Sequence, residues 1–175
     1  MIPVSIESLA IGWMPQPSVV TLRPKTDLMQ VPEEAANRVL PICVGPMEAT
    51  AIAAALDSAH NDRPLTHATA NKMLQAVGGS MLRAVIDRAE GATFYATIYL
   101  RCSNGLFTRV DARPSDAIAM AISADKPLFV EEDVFEAAGN PRSFGEPGAE
   151  QQIELEEFHK FIDGLSPEDF VRNEN

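Results

Sequence analysis

Two hydrophobic rhythms alternate along this chain, and each marks a different kind of element. Near the start, Val4 and Ile6, and then Leu9 and Ile11, fall on alternate positions with a change of phase between the pairs, the pattern of a half-buried strand with a bulge or bend. A second short strand, "VVTLR" from Val19 to Arg23, follows the proline-bounded turn "MPQPS". "KTDLMQVPEEAAN" reads as a connecting loop. "RVLPICVG", from Arg38 to Gly45, is the next strand, and Pro41, which has no N–H to donate, places it at a sheet edge or a bulge.

After Gly45 and Pro46 the period lengthens. "MEATAIAAALDSAH" is rich in alanine with Ile52 and Leu56 four apart, which predicts a helix packed closely against something flat. "NDRPLTH" breaks it, and Thr66 is placed to cap a second helix that ends at Gly78 and Gly79. Three strands follow, Ser80 to Ala89, Ala92 to Cys102 and Leu106 to Ala112; their turns, "EG" and "SNG", are hairpin chemistry, so the three form an antiparallel meander. "RPSDAIAMAIS" then predicts a helix, with Pro114 in its first turn and Ser115 or Asp116 as its cap. "KPLFVEED" is a short strand, "VFEAAG" a short helix and "NPRSFGEPGAEQQ" a linker. A last amphipathic segment carries Ile153, Phe158, Phe161 and Ile162 on one face and acids opposite.

This order predicts an α+β fold: a mostly antiparallel sheet with helices packed on one side, plus a C-terminal helical appendage. The domain reading is 1–138 for the folded domain, 139–150 for the linker and 151–175 for an acidic helical tail. No apolar run approaches the about 18 residues of a spanning helix, and the opening has no basic leader region. A cytoplasmic protein without membrane contact is expected. Cys43 and Cys102 lie in apolar, strand-like runs with no metal spacing and are expected to be buried free thiols.

Charge changes the picture more than composition does. The formal net charge is -11, yet residues 1–130 hold 12 acids and 11 bases, whereas residues 131–175 hold 13 acids and 3 bases. A general basic surface for nucleic acid is therefore absent, and any phosphate site has to be local. The acidic tail suits a basic protein partner instead.

No Gly-rich phosphate loop, HExxH or GxSxG is present. Three polar clusters carry what chemistry there is: Glu48 at a helix start; Asp62, Arg63, Thr66 and His67 in "DRPLTH"; and Asp111, Arg113, Ser115 and Asp116 in "DARPSD". Each has a plain structural reading. Glu48 complements a helix dipole, Arg63 or Arg113 pairs with Asp62 or Asp116, and His67 is a polar residue at a helix start. His60 and His159 offer less. Arg113 poses the sharper question, because a cation beside a helix N-terminus opposes the macrodipole and requires a carboxylate or a phosphate opposite it.

"LPICVGPMEATAIAAAL", "RPLTH", "FYATIYL" and "VDARPSDAIAMAI", in that order, resemble the bifunctional nuclease domain of bacteria and plants over roughly residues 4 to 138, and the acidic ending is similar to that of bacterial members. The resemblance implies a low-specificity nuclease hydrolysing phosphodiester bonds in RNA or DNA. Many members carry an acid directly after the motif histidine, where this chain has Ala68, and a basic residue at the end of the second motif's helix, where it has Ser123. Phosphodiester cleavage needs an activated nucleophile, charge stabilisation at the phosphoryl oxygens and help for the leaving group. The candidates are His67, Asp116 and Glu48 for catalysis, Arg63, Arg113 and Ser115 for the phosphate, and Asp111, Asp116 and Glu48 as oxygen ligands for Mg²⁺ or Mn²⁺. The alternative is a non-enzymatic regulatory or binding module. Under either reading a homodimer is expected, because a small apolar sheet hides an edge or face by two-fold pairing. Both readings require the RPLTH and RPSDA segments to be neighbours.

Overall fold

A parallel strand pair in an otherwise antiparallel sheet organises the molecule. In the computed structural model, which describes residues 1–12, 16–26, 31–57 and 63–141, strand β4 (Ser80–Glu90) pairs antiparallel with β5 (Thr93–Arg101), and β5 with β6 (Phe107–Ala112). Strand β7 (Leu128–Val130) lies along the other side of β4 and parallel to it. A parallel partner requires a crossover, and helix α4 (Pro114–Ser123) is that crossover. β1 (Ile2–Ala10), β2 (Ser18–Pro24) and β3 (Arg38–Val44) extend the sheet antiparallel beyond β7, and a two-residue β8 (Asn140–Pro141) closes its far end. The strand order is β6-β5-β4-β7-β1-β2-β3-β8. The fold is α+β, and Met1–Pro141 forms one compact unit.

Local sequence explains most of these elements. The phase change in β1 is a register shift between Ile6 and Ser8 against β2. The hairpin turns on either side of β5 place Gly91 at φ 59° and Gly105 at φ 81°, backbone that only glycine adopts without strain. Pro41 pairs with Thr21 of β2, while β8 reaches only Arg38 and Val39, so the proline stands on an open edge as its missing N–H requires.

Helices α2 (Pro46–Leu56) and α3 (Thr66–Ala76) both pack against α4, which also lies on β4 and β5. Ala117, Ile118, Ala119 and Ala121 of α4 are buried, so the helix is covered nearly all round and its alanines let neighbours approach closely. Leu22, Leu40, Ile42, Ile52, Ile86 and Phe135 complete a single core with Ile118. Phe135 comes from α5 (Glu132–Ala138), which packs on β4 and β3.

Several expectations need correction. The stretch read as a loop before Arg38 contains a short helix, α1 (Glu33–Ala36), held because Pro32 starts it and Ala35 reaches the core. β8 lies in what was read as a linker, where Asn140 and Pro141 find Arg38 and Val39 by tertiary proximity alone. Thr66 is the first helical residue of α3 rather than its cap, and Leu65 occupies the cap position with no side-chain bond. Likewise Arg113, not Ser115 or Asp116, is the N-cap of α4. The cysteines are free but not buried: Ile42 faces the core, so strand alternation turns the adjacent Cys43 to the surface, and Cys102 is half-exposed. No described helix is long and apolar enough to cross a membrane. His60, Asp62, His159, most of the linker and the acidic tail lie outside the described residues.

Ile118 is fully buried at the centre of the helix layer. Ile118→Ala is expected to destabilise the domain by about 2–5 kcal/mol, read from urea unfolding. Cys43→Ser, at the surface, is expected to stay within about 0.5 kcal/mol of the parent.

Candidate functional site

Three helix starts meet at one place, and two of them share a local pattern. α2 opens Pro46-Met47-Glu48 and α4 opens Pro114-Ser115-Asp116, each with proline first and an acid third. Proline is pre-set for the first turn, and an acid there complements the exposed N–H groups and the dipole. Glu48 folds back onto its own helix start. It accepts from its own backbone N–H, and a Cβ on Gly45 would collide with its Oε2, so the glycine before the helix leaves the carboxylate room.

Arg113, at the N-cap of α4, joins the two acids. Its Nε donates to Asp116 Oδ2 at 2.8 Å and its Nη2 to Asp116 Oδ1 at 3.2 Å, a fork across three residues of one helix. Its Nη1 donates to Glu48 Oε1 at 2.8 Å, across 65 residues of chain. The cation at the helix start therefore has two carboxylate partners within the protein. Asp116 Oδ1 also lies 3.1 Å from Nε2 of His67, in the first turn of α3. The result is a continuous polar chain, Glu48–Arg113–Asp116–His67, over the starts of α2, α4 and α3. The side chains of Glu48, Asp116 and His67 are 25%, 31% and 20% exposed and that of Arg113 is 65% exposed, so the group converges without being sealed from solvent.

The ionisations follow from these bonds. The hydrogen bonds from Arg113, and then His67, hold Asp116 below the ordinary aspartate range against an opposing effect of partial burial. Glu48 is lowered by its own backbone N–H and then by Arg113, and the two carboxylates raise Arg113. An ionised carboxylate can only accept, so Nε2 of His67 carries the proton in this bond, which leaves the lone pair of the neutral ring on Nδ1.

His67 also lines a cavity of about 240 Å³ between α2 and α3, where Arg63 and Lys72 supply cations and Ala51, Ala54 and Ala55 of α2 supply a small-residue wall. No acid is among the lining residues described. Ser123, at the end of α4, lines it too, and accepts from Asn71 Nδ2 at 2.7 Å. Asn71 Nδ2 also donates to the Met120 carbonyl at 2.9 Å, so α3 is tied to α4 at two levels, by His67 and by Asn71 one turn later. Ser123 is thus a structural partner of α3.

The candidate residues separate into groups. The structure brings Glu48, Arg113, Asp116 and His67 together. Arg63 stands with His67 on the cationic cavity. Ser115 and Arg113 border a different cavity, of about 300 Å³, between Val44–Glu48 and the β4–β5 turn. Asp111 is exposed on β6 opposite Thr97 and borders neither. No group of three His, Cys, Asp or Glu side chains suited to a metal occurs among the described residues. Glu48 and Asp116 both bond to the guanidinium that stands between them, so this donor set does not fit Mg²⁺ or Mn²⁺ as it stands. Sequence reasoning missed Lys72 and Asn71. Lys72 was marked by its place four residues after Ala68 on the same helix; Asn71 carried no signal beyond its burial on a helix otherwise largely exposed.

The fold and site together define a small α+β domain with a polar chain over clustered helix starts and a cation-lined cavity beside it. The protein belongs to the bifunctional nuclease domain family, which matches residues 28–143. Two uncharacterised proteins, from two strains of Mycobacterium tuberculosis, are each 37% identical to it over 139 residues, 77% of this chain and 82% of theirs.

Asp116 and Glu48 have folded-state values below their unfolded ones, so their contribution to stability is fully present above about pH 4 to 5 and is lost as the pH falls through the lowered values. The thermal midpoint is expected to decline below about pH 4. In Arg113→Gln the carboxylates lose that support, so the gap in midpoint between parent and variant should be widest above about pH 5 and narrow toward pH 2. Differential scanning fluorimetry across that range checks both.

Proposed function

We propose that the domain hydrolyses phosphodiester bonds in single-stranded RNA or DNA, with His67 as the proton carrier and Arg63 and Lys72 as the phosphate clamp. The observation that carries this reading is the 3.1 Å contact between Asp116 and His67 on the wall of a cavity bearing two cations. Asp116 orients the ring and stabilises the imidazolium that forms when His67 takes a proton. Water attacks phosphorus, its proton passes to Nδ1, the bond to the leaving oxygen breaks, and the imidazolium returns the proton to that oxygen. Arg63 and Lys72 offset the charge that develops on the non-bridging oxygens. Arg113 is a positioning residue: its fork holds Asp116 in place, and Glu48 holds the fork.

This reading needs no resident metal, because the carboxylates that would bind one are engaged by Arg113. Lys72 replaces Arg113 and Ser115 as the second phosphate contact. The small cavity accepts one backbone phosphate at a time, which favours flexible single strands over a duplex and fits the absence of a broad basic surface.

Cleavage of fluorescent RNA and single-stranded DNA oligonucleotides by the purified full chain, with and without EDTA, is the test. Activity is expected to survive chelation, to fall by about 100-fold or more in His67→Ala, and to weaken mainly through KM in Lys72→Ala and Arg63→Ala. Loss of all activity in EDTA would return the carboxylates to a metal-binding role. An inactive parent that still retains oligonucleotide through Arg63 and Lys72 would mean a binding module instead.

A further inference from the structure

The sheet has one guarded end and one open end. At the β3 end, Pro41 offers no N–H, and β8 covers Arg38 and Val39. At the other end β6 pairs with β5 alone among the described strands, and all of Phe107–Asp111 is exposed. A bare edge with large apolar side chains invites another strand. Phe107 is 75% exposed, and Val110 is 47% exposed although it stands directly opposite Ile98, which is 4% exposed. The core-facing row that runs Ala84, Ile98, Val110 therefore reaches the edge of the sheet and stops uncovered.

We propose that β6 pairs antiparallel with β6 of a second copy of this chain, about a two-fold axis at Val110, so that the sheets of two copies become one. The sequence of the strand selects that axis. Opposed residues in an antiparallel pair lie on the same face, so an axis that keeps the core faces together has to pass through a residue position. At Arg109 it would set that arginine against itself, and at Asp111 that aspartate. At Thr108 no opposite charges meet, and the overlap runs into the turn before Phe107. At Val110 each Arg109 faces the partner's Asp111, so two reciprocal ion pairs form, Thr108 faces Ala112, and Val110 meets its own copy on the core face. Within one chain neither Arg109 nor Asp111 forms an ion pair among the described residues, so both are available for this exchange.

Sedimentation velocity of the full chain over a concentration series tests the interface, and circular dichroism confirms that each variant is folded. The parent is expected to dimerise. Arg109→Asp and Asp111→Arg should each weaken the dimer by about tenfold or more, since each sets like charges opposite one another twice. The double variant Arg109→Asp/Asp111→Arg should recover most of the loss. A monomeric parent would overturn the proposal. So would a dimer indifferent to Arg109→Asp, which would point to another face, such as the exposed Met73 and Val77 of the α3 end, and so would failure of the double variant to recover.

Discussion

A single guanidinium at the start of α4 holds the polar part of this molecule together. On its own, a cation at a helix N-cap works against the macrodipole. Here it is flanked by acids in the first turns of two helices, each of which favours its own helix start, and the planar fork of Arg113 satisfies one while its remaining nitrogen reaches the other. A lysine has its three donors on a single nitrogen and offers no planar fork. Because Arg113 is largely exposed, its pairs add little to stability; their consequence is geometric, since the fork sets how Asp116 presents Oδ1 to His67.

The crossover explains why that guanidinium is where it is. A parallel β4–β7 pair forces α4 over the sheet, and a crossover helix with alanine at three of its ten positions can be approached closely by α2 and α3. Three helix starts then meet, and the start of α3 also borders the cavity of Arg63 and Lys72, which α2 and α4 reach with their later turns. Arg63 and Lys72 thus concentrate positive charge in one small region of an acidic chain rather than over a face.

Much of this was legible in the residues. The bulge in β1, the meander with its glycine turns, the edge position of Pro41 and the span of α4 all follow from neighbours within a few positions. The RPLTH and RPSDA segments identified both the family and two of the places where the polar chain is built. Less legible were elements created by packing: α1 has only four residues, β8 only two, and neither has a periodicity to read. Nor was it legible that Arg63 and Arg113, offered together for one phosphate, would border different cavities. Asp111 was a candidate oxygen ligand as one carboxylate of the DARPSD segment, and it lies exposed on the edge strand β6.

What the chain determined by itself is therefore local: the periods, the proline and acid at two helix starts, the hairpin glycines and the exclusion of a broad basic surface. Those features depend on backbone preferences and on residues no more than a turn away. The tertiary structure alone decided that Glu48, 65 residues before Arg113, and His67, 49 before Asp116, would share one chain of hydrogen bonds, and that Lys72 would line one cavity with His67. The reason is that such meetings depend on how closely small-residue helices pack beneath a crossover, and that distance is a property of the whole core rather than of any stretch of it.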